Sequence, residues 1–523
     1  MRLFIFFFLL PAWVMAQNYS ERLALEKGEA WWGGRIKEAA QMPFQPGYEV
    51  DLNFNNANQV QPLLISNKGR YIWNEGSFRF KMTKDELILE GGEQPFVVGR
   101  SGESLRSAYQ YAARTFFPFQ GEMPHPRLFN VPQYNSWIEL IYNQNQADIM
   151  NYARSIVREG FPTGVLMIDD NWQIDYGDWN FKPDRFPDPK GMVDSLHQMG
   201  FEVMLWVCPF VSPDSETFRY LYEQKDAFLK DPARPEEAKM VRWWNGFSAL
   251  LDFTNPAAVT WFKGELTRLQ ETYGIDGFKL DAGDFPFYHD CLSHKKASPQ
   301  EHSRLYAALG LDYPLNEYRA CWKMGGRGLV QRLADKNFSW EDLQQLIPGI
   351  TLQGLMGYPF ACPDMIGGGE YRSFLALDSI DQELIVRSTQ VHAYMPMMQF
   401  SVAPWRVLDA KHLAACLEAA KVHAQIGQHI LDIARESSKS GEPIVRTLDY
   451  AFPGEGYEEV KDQFLLGYNM MIAPVLESGA RSRKVQLPPG KWWDHTGRLH
   501  QGPQQIEVDA PLDVIPVFRY GGQ

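Results

Sequence analysis

The residues in this sequence best suited to chemistry are acids at the ends of apolar runs. Asp169 and Asp170 follow GVLMI, Lys279, Asp281 and Asp284 lie in GFKLDAGD, Arg332 and Asp335 in LVQRLADK, and Asp364 in ACPDMIGGG. Trp206 sits within VMLWV, and Gln399 and Ser401 follow YMPMM. Two carboxylates on different strands, with aromatic rings around them, suit glycoside hydrolysis: one attacks the anomeric carbon and the other protonates the leaving oxygen. Neither His nor Cys recurs at metal-ligand spacing and GxSxG is absent, so no metal, other cofactor or serine nucleophile is implied. One aspartate at a strand end is as well explained by a cap or an ion pair. Several at successive strand ends argue for a site.

A site of this kind needs strands that converge, and the patterning supplies them. From residue 133 the chain alternates buried strand and helix: TGVLMIDD, GMVDSLHQMG, FEVMLWVCPF and onward, with SWIELIYN read as a strand near the start. Some eight such units over residues 133–440 predict a (β/α)8 TIM barrel, whose strand C-termini open on one mouth. The alternative, a doubly wound open sheet, lacks the expected GxGxxG. Residues 17–132 alternate apolar and polar positions between turns, as in YIWNEGSFRFKMTKDELILEGG, and predict an N-terminal β-sandwich domain. Strand-like runs return in residues 441–523 and predict a C-terminal β domain.

Composition narrows the partners. A formal net charge of −13 without any basic block disfavours nucleic acid. The 16 Trp and 23 Tyr favour aromatic-lined pockets, which pyranose faces stack upon. Residues 1–16, MRLFIFFFLLPAWVMA, read as a signal peptide, implying export to the periplasm or medium, and no later run is long enough for membrane insertion. The five cysteines are scattered and suggest no disulfide framework.

Five ordered blocks resemble glycoside hydrolase family 31, the retaining exo-α-glycosidases. They are DWNFKPDRFPDPKGMVDSLHQMGFEVMLWVCPF, LDFTNPAAVTWF, GIDGFKLDAGD, DKNFSWEDLQQLIPGI and GLMGYPFACPDMIGGG. The resemblance, which runs from about Tyr134 to the C-terminus, implies that Asp281 is the nucleophile and that Asp335, five residues before Trp340, is the acid/base. It further implies carboxyls about 5 to 5.5 Å apart, net retention, an ionised Asp281 and an Asp335 that keeps its proton near neutral pH. Lys279 and Arg332 would orient sugar hydroxyls or carboxylates, and Asp169 or Asp170 would bind the far hydroxyls of the terminal sugar. Trp172, Trp206, Trp243, Asp364 and Gln399 complete the expected oligosaccharide- or glycoside-binding set.

Departures from the family pattern are informative. Most members carry R-x-H near the last barrel strand, where this chain reads MQFS, and W-x-G-D before the acid/base is RLAD here. These features look like the myogenesis-regulating glycosidase branch and its bacterial relatives, for which α-galactosidase activity is known. An α-galactosidase is therefore expected, with an α-glucosidase or α-xylosidase as the alternative and a sugar-binding protein without turnover as the further one. His423 and His429 are read as residues of an outer helix, and Trp492 and Trp493 as core or interface of the last domain. Asp284 either tunes Asp281 or hydrogen-bonds its loop.

Overall fold

The computed structural model describes residues 19–55, 57–92 and 94–522. The expected signal segment 1–16 lies outside them. Eight parallel strands form the central sheet: β1 (Gln133–Asn135), β2 (Val165–Ile168), β3 (Glu202–Val207), β4 (Gly277–Leu280), β5 (Asn316–Tyr318), β6 (Gln331–Arg332), β7 (Ala361–Cys362) and β8 (Gln399–Phe400). They neighbour one another in chain order, with β8 beside β1, and the Ile366 N–H donates to the Gln399 carbonyl at 2.8 Å to close the ring. This closed (β/α)8 barrel excludes an open doubly wound sheet. Strands such as VLMI in β2 are continuously apolar because the barrel interior lies on one side and helices on the other.

One strand differs from the expectation. SWIELIYN is not extended: Trp137–Leu140 is a short helix, and the barrel strand is the preceding Gln133–Asn135. The Asn135 side-chain oxygen accepts the Trp137 N–H at 2.8 Å and turns the chain just where a strand would have continued.

Two antiparallel sheets precede the barrel. One orders Tyr19–Ala24, Glu86–Gly92, Arg79–Met82 and Glu49–Asp51; the other orders Trp31–Arg35, Asn58–Ser66, Arg70–Trp73 and Val97–Arg100. The strand Asn58–Ser66 is buried throughout although it begins with Asn58, Gln59 and Gln61. The cause is its second neighbour: Ala320–Trp322, just past β5, pairs with it in parallel and joins sheet to barrel. A six-stranded sheet built from residues 445–520 follows the barrel, with Trp492 fully buried in its core and Trp493 37% exposed.

His423 is buried on the helix Ala410–Ser440, its Nδ1 paired with the Ala393 carbonyl. Among the described residues no helix is long and apolar enough to cross a membrane, and no group of three or more His, Cys, Asp or Glu could hold a metal ion.

Candidate active site

The strand ends converge on a pocket of about 250 Å³. Its wall includes Asp169, Asp170, Trp206, Lys279, Asp281, Arg332 and Asp335, which come from the ends of β2, β3, β4 and β6.

Asp281 follows β4 directly and is held from three sides. Trp206 Nε1 donates to its Oδ2 at 2.8 Å, the Ala282 N–H donates to its Oδ1 at 2.9 Å, and Arg319 Nε lies 3.5 Å from that same oxygen. Ala282 has φ +65°, a left-handed conformation that a non-glycine residue adopts at a cost, and it aims its N–H back at the carboxylate. Burial pushes the Asp281 carboxyl up, yet Arg319, Lys279 and Arg332 outweigh it and hold it below the usual carboxylate range. The carboxylate form of Asp281 is thereby favoured.

Asp335 sits opposite, its side chain 36% exposed. Arg332 Nη1 donates to Asp335 Oδ1 at 2.7 Å and to Asp364 Oδ1 at 2.8 Å, while Arg332 Nε faces Glu317 at 3.3 Å. Arg319 Nη1 approaches Asp335 Oδ2 at 3.9 Å, so one guanidinium reaches both Asp281 and Asp335. Burial again pushes Asp335 up, but Arg332, Arg319 and Lys279 prevail and hold it well below its ordinary value. The arginines thus favour the ionised form of Asp335, where the family resemblance implies a retained proton. The reason is that the cations face it directly. Burial pushes Asp364 and Glu317 upward despite the same arginine.

Asp169 and Asp170 divide their tasks. Asp169 pairs with Lys279 Nζ at 2.8 Å. Asp170 accepts from Asn245 Nδ2 at 2.7 Å and from the Tyr176 hydroxyl at 3.3 Å, and burial, then Asp169, push its carboxyl up to about 7. The sign follows from linkage: a raised acid favours folding fully only below its unfolded value, so this contribution is lost as pH rises from about 4 to about 7. Asp170→Asn is expected to gain on the wild type by on the order of 3 kcal/mol over that window, read from denaturant midpoints between pH 4.5 and 8. A difference independent of pH would refute the assignment.

Four expected sugar contacts do not reach the pocket wall. Trp172 is fully buried against Trp179 and Phe181, its N–H donating to the Trp206 carbonyl at 2.8 Å. Trp243 is buried and bonds Ser248 Oγ at 3.1 Å. Asp364 lies behind Arg332. Gln399, on β8, lies among buried partners and donates across the barrel to Glu317 Oε2 of β5 at 2.7 Å.

Other residues line the pocket unannounced: Arg319, Trp244, Trp137, Tyr142, Tyr371 and Arg372. Arg319 follows β5, whose sequence NEY carries no apolar run to flag it. Trp244 is 42% exposed, with the Arg319 guanidinium 4.9 Å from its ring centre. Alternation along the hairpin Met240–Leu250 points Trp243 inward and leaves Trp244 at the turn, a distinction available only once the register is known. Asp284 pairs with Arg319 Nη2 at 3.0 Å and accepts the backbone N–H of Ala57, from the N-terminal segment and not from its own loop.

Comparison with known proteins gives a consistent picture. A family model described as the glycosyl hydrolases family 31 TIM-barrel domain matches residues 129–407, and the glycosyl hydrolase family 31 C-terminal domain matches residues 441–523. The chain is 35% identical over 428 residues to the myogenesis-regulating glycosidase of Mus musculus, covering 80% of this chain and 59% of that protein. It is 25% identical to alpha-glucosidase 2 of Bacillus thermoamyloliquefaciens, covering 84% and 58%. The chain thus spans about three fifths of the length of these curated relatives. The solved α-xylosidase of the same family from a soil metagenome, complexed with xylose, superposes with a TM-score of 0.83 at 22% identity, covering 96% of this chain and 79% of that one. At that identity it shows a shared fold.

Proposed function

Because the chain belongs to glycosyl hydrolase family 31, we propose that it is a retaining, exo-acting α-glycoside hydrolase whose substrates carry a terminal α-linked galactose. The observation that carries the reading is the pairing of Asp281 and Asp335 across one small pocket, with Arg319 reaching both. Asp281 attacks the anomeric carbon as the glycosidic C–O bond breaks, and Asp335 gives its proton to the departing oxygen. The product is a β-linked glycosyl ester. Asp335, now a carboxylate, takes a proton from water, and that water displaces Asp281 from the opposite face to release the α-anomer.

Asp335 must gain a proton before the first step. It does so by swinging from Arg332 toward the glycosidic oxygen, a move that leaves Arg332 balanced by Asp364 at 2.8 Å and Glu317 at 3.3 Å. Away from the guanidinium, burial dominates and proton affinity rises. Gly369 keeps space for the carboxylate, since a Cβ there would stand 2.5 Å from Asp335 Oδ1.

Galactose is favoured over glucose by the branch features around Gln399 and RLAD, and by the higher identity to the myogenesis-regulating glycosidase than to alpha-glucosidase 2. The two sugars differ by one C4 hydroxyl, and a buried group left unpaired by the wrong epimer provides the discrimination. That Asp169 and Asp170 are buried polar residues on the pocket wall supports this reading. Residues 1–16 are proposed to direct the enzyme out of the cytoplasm.

Aryl α-galactoside, α-glucoside, α-xyloside and α-N-acetylgalactosaminide, supplied separately, test the reading. Selective release from the galactoside, with the α-anomer appearing first by NMR, is the expected result. Cleavage of the glucoside or xyloside instead, as the names of other relatives suggest, keeps the mechanism and removes the galactose assignment. A β-anomer first would overturn retention, and binding without turnover would leave a lectin-like protein.

A further inference from the structure

The two arginines that face the reacting carboxylates are anchored by a residue outside the barrel. Gln59, fully buried on the N-terminal strand Asn58–Ser66, donates its two amide hydrogens to two backbone carbonyls: Arg319 O at 3.1 Å and Arg332 O at 3.0 Å. Its own oxygen accepts from Gln353 Nε2 at 2.6 Å, so the amide has one orientation that satisfies every partner. The neighbours of Gln59 repeat the pattern. Asn58 Oδ1 accepts the N–H of Ala334, next to Asp335, at 2.6 Å, and the Ala57 N–H donates to Asp284, the carboxylate that pairs with Arg319. Ala57 and Asn58 have φ of +64° and +62°, a strained backbone sustained where the surrounding contacts over-determine it.

Three consecutive N-terminal residues thus touch the segments that carry Asp281's counter-charge, Asp335's counter-charge and Asp335 itself. Residues 320–322 reach out of the barrel to pair with strand 58–60, and the polar side chains of that strand point at the site rather than at solvent.

We infer that Gln59 is a positioning residue for the proposed reaction, fixing Arg319 and Arg332 relative to each other so that one faces Asp281 while the other holds Asp335. The inference rests on the reading of Asp281 and Asp335 given above. It predicts more than a packing defect. Without the amide, the Arg319 guanidinium drifts from its 3.5 Å approach, Asp281 gains proton affinity, and the acidic limb of the kcat/KM profile moves to higher pH.

The test measures kcat/KM against pH, together with the melting temperature, for wild type, Gln59→Leu and Asn67→Ala. Asn67 is a buried residue in the turn between the strands Asn58–Ser66 and Arg70–Trp73 that bonds Glu458 at 2.9 Å, lines no part of the pocket, and serves as the control for destabilisation alone. Gln59→Leu is expected to lose roughly 10- to 100-fold in kcat/KM, the scale of a sub-ångström to 1 Å misplacement, and to move the acidic limb upward. Asn67→Ala is expected to melt earlier with its limb unmoved. Gln59→Met, linear and of similar length, replaces Gln59→Leu if the latter does not fold. An unmoved limb in a folded Gln59 variant overturns the inference, as does failure of both Gln59 variants to fold while Asn67→Ala folds. A wild type inactive on every α-glycoside overturns the functional reading and this inference with it.

Discussion

Asp281→Ala is expected to lose about 10⁴- to 10⁶-fold in kcat/KM on every substrate the wild type cleaves, the scale seen when a covalent nucleophile is removed. The loss should be the same for an aryl glycoside and for a disaccharide, because the missing bond is the one formed to the sugar and not the one broken to the leaving group. The fold should survive. The Trp206 N–H loses its 2.8 Å acceptor at a cost of about 1–3 kcal/mol, while Lys279 keeps Asp169 and Arg319 keeps Asp284. Azide gives the sharper readout. It fits the space of the deleted carboxylate, attacks the α-glycoside from the opposite face, and should yield the β-glycosyl azide with partial recovery of rate. Recovery without that product, or a loss under tenfold, would remove Asp281 from the role.

The route from sequence to site was legible where chain chemistry acts locally and illegible where register decides. The barrel could be read because buried parallel strands are continuously apolar and alternate with helical spacing, and VLMI, EVMLWV and GFKL do both. Asp169, Asp170, Lys279 and Asp281 were then found as polar residues placed directly on or after such runs. Arg319 escaped because NEY before it offers no apolar run although the strand is fully buried: Asn316 bonds backbone carbonyls, Glu317 pairs with Arg332, and Tyr318 alone joins the hydrophobic core. Trp172 and Trp243 were misplaced for a different reason. An aromatic near a barrel mouth can face sugar or core, and only the hairpin register exposes Trp244 in place of its neighbour. The arginines that lower Asp335's proton affinity come from different strands, and Arg319 carries no local sequence signal. Gln59 lies 260 residues before Arg319, a separation over which local pattern carries no information.

Asp335→Ala should behave unlike Asp281→Ala, and the contrast separates their roles. Loss of a general acid costs about 10²- to 10⁴-fold, and only when the leaving oxygen needs a proton. A disaccharide is therefore expected to suffer the full loss, while an α-glycosyl fluoride or dinitrophenyl glycoside keeps a near-normal first step. The second step still needs a base, so the ester on Asp281 should accumulate and appear as a burst of phenol followed by slow turnover. Azide needs no base. It should enter from the face that water would use and release the α-glycosyl azide, opposite in configuration to the product from Asp281→Ala. Structure favours a clean experiment: the Asp335 side chain is 36% exposed, so its truncation opens onto the pocket and makes no sealed cavity, and Arg332 retains Asp364 and Glu317. The pH profile of kcat, which reports the substrate complex in which Asp335 has left Arg332, should also lose its basic limb. An equal loss across all leaving groups, with no burst, would mean that Asp335 only fixes Arg332, and the donor of the proton would have to be sought elsewhere on the pocket wall.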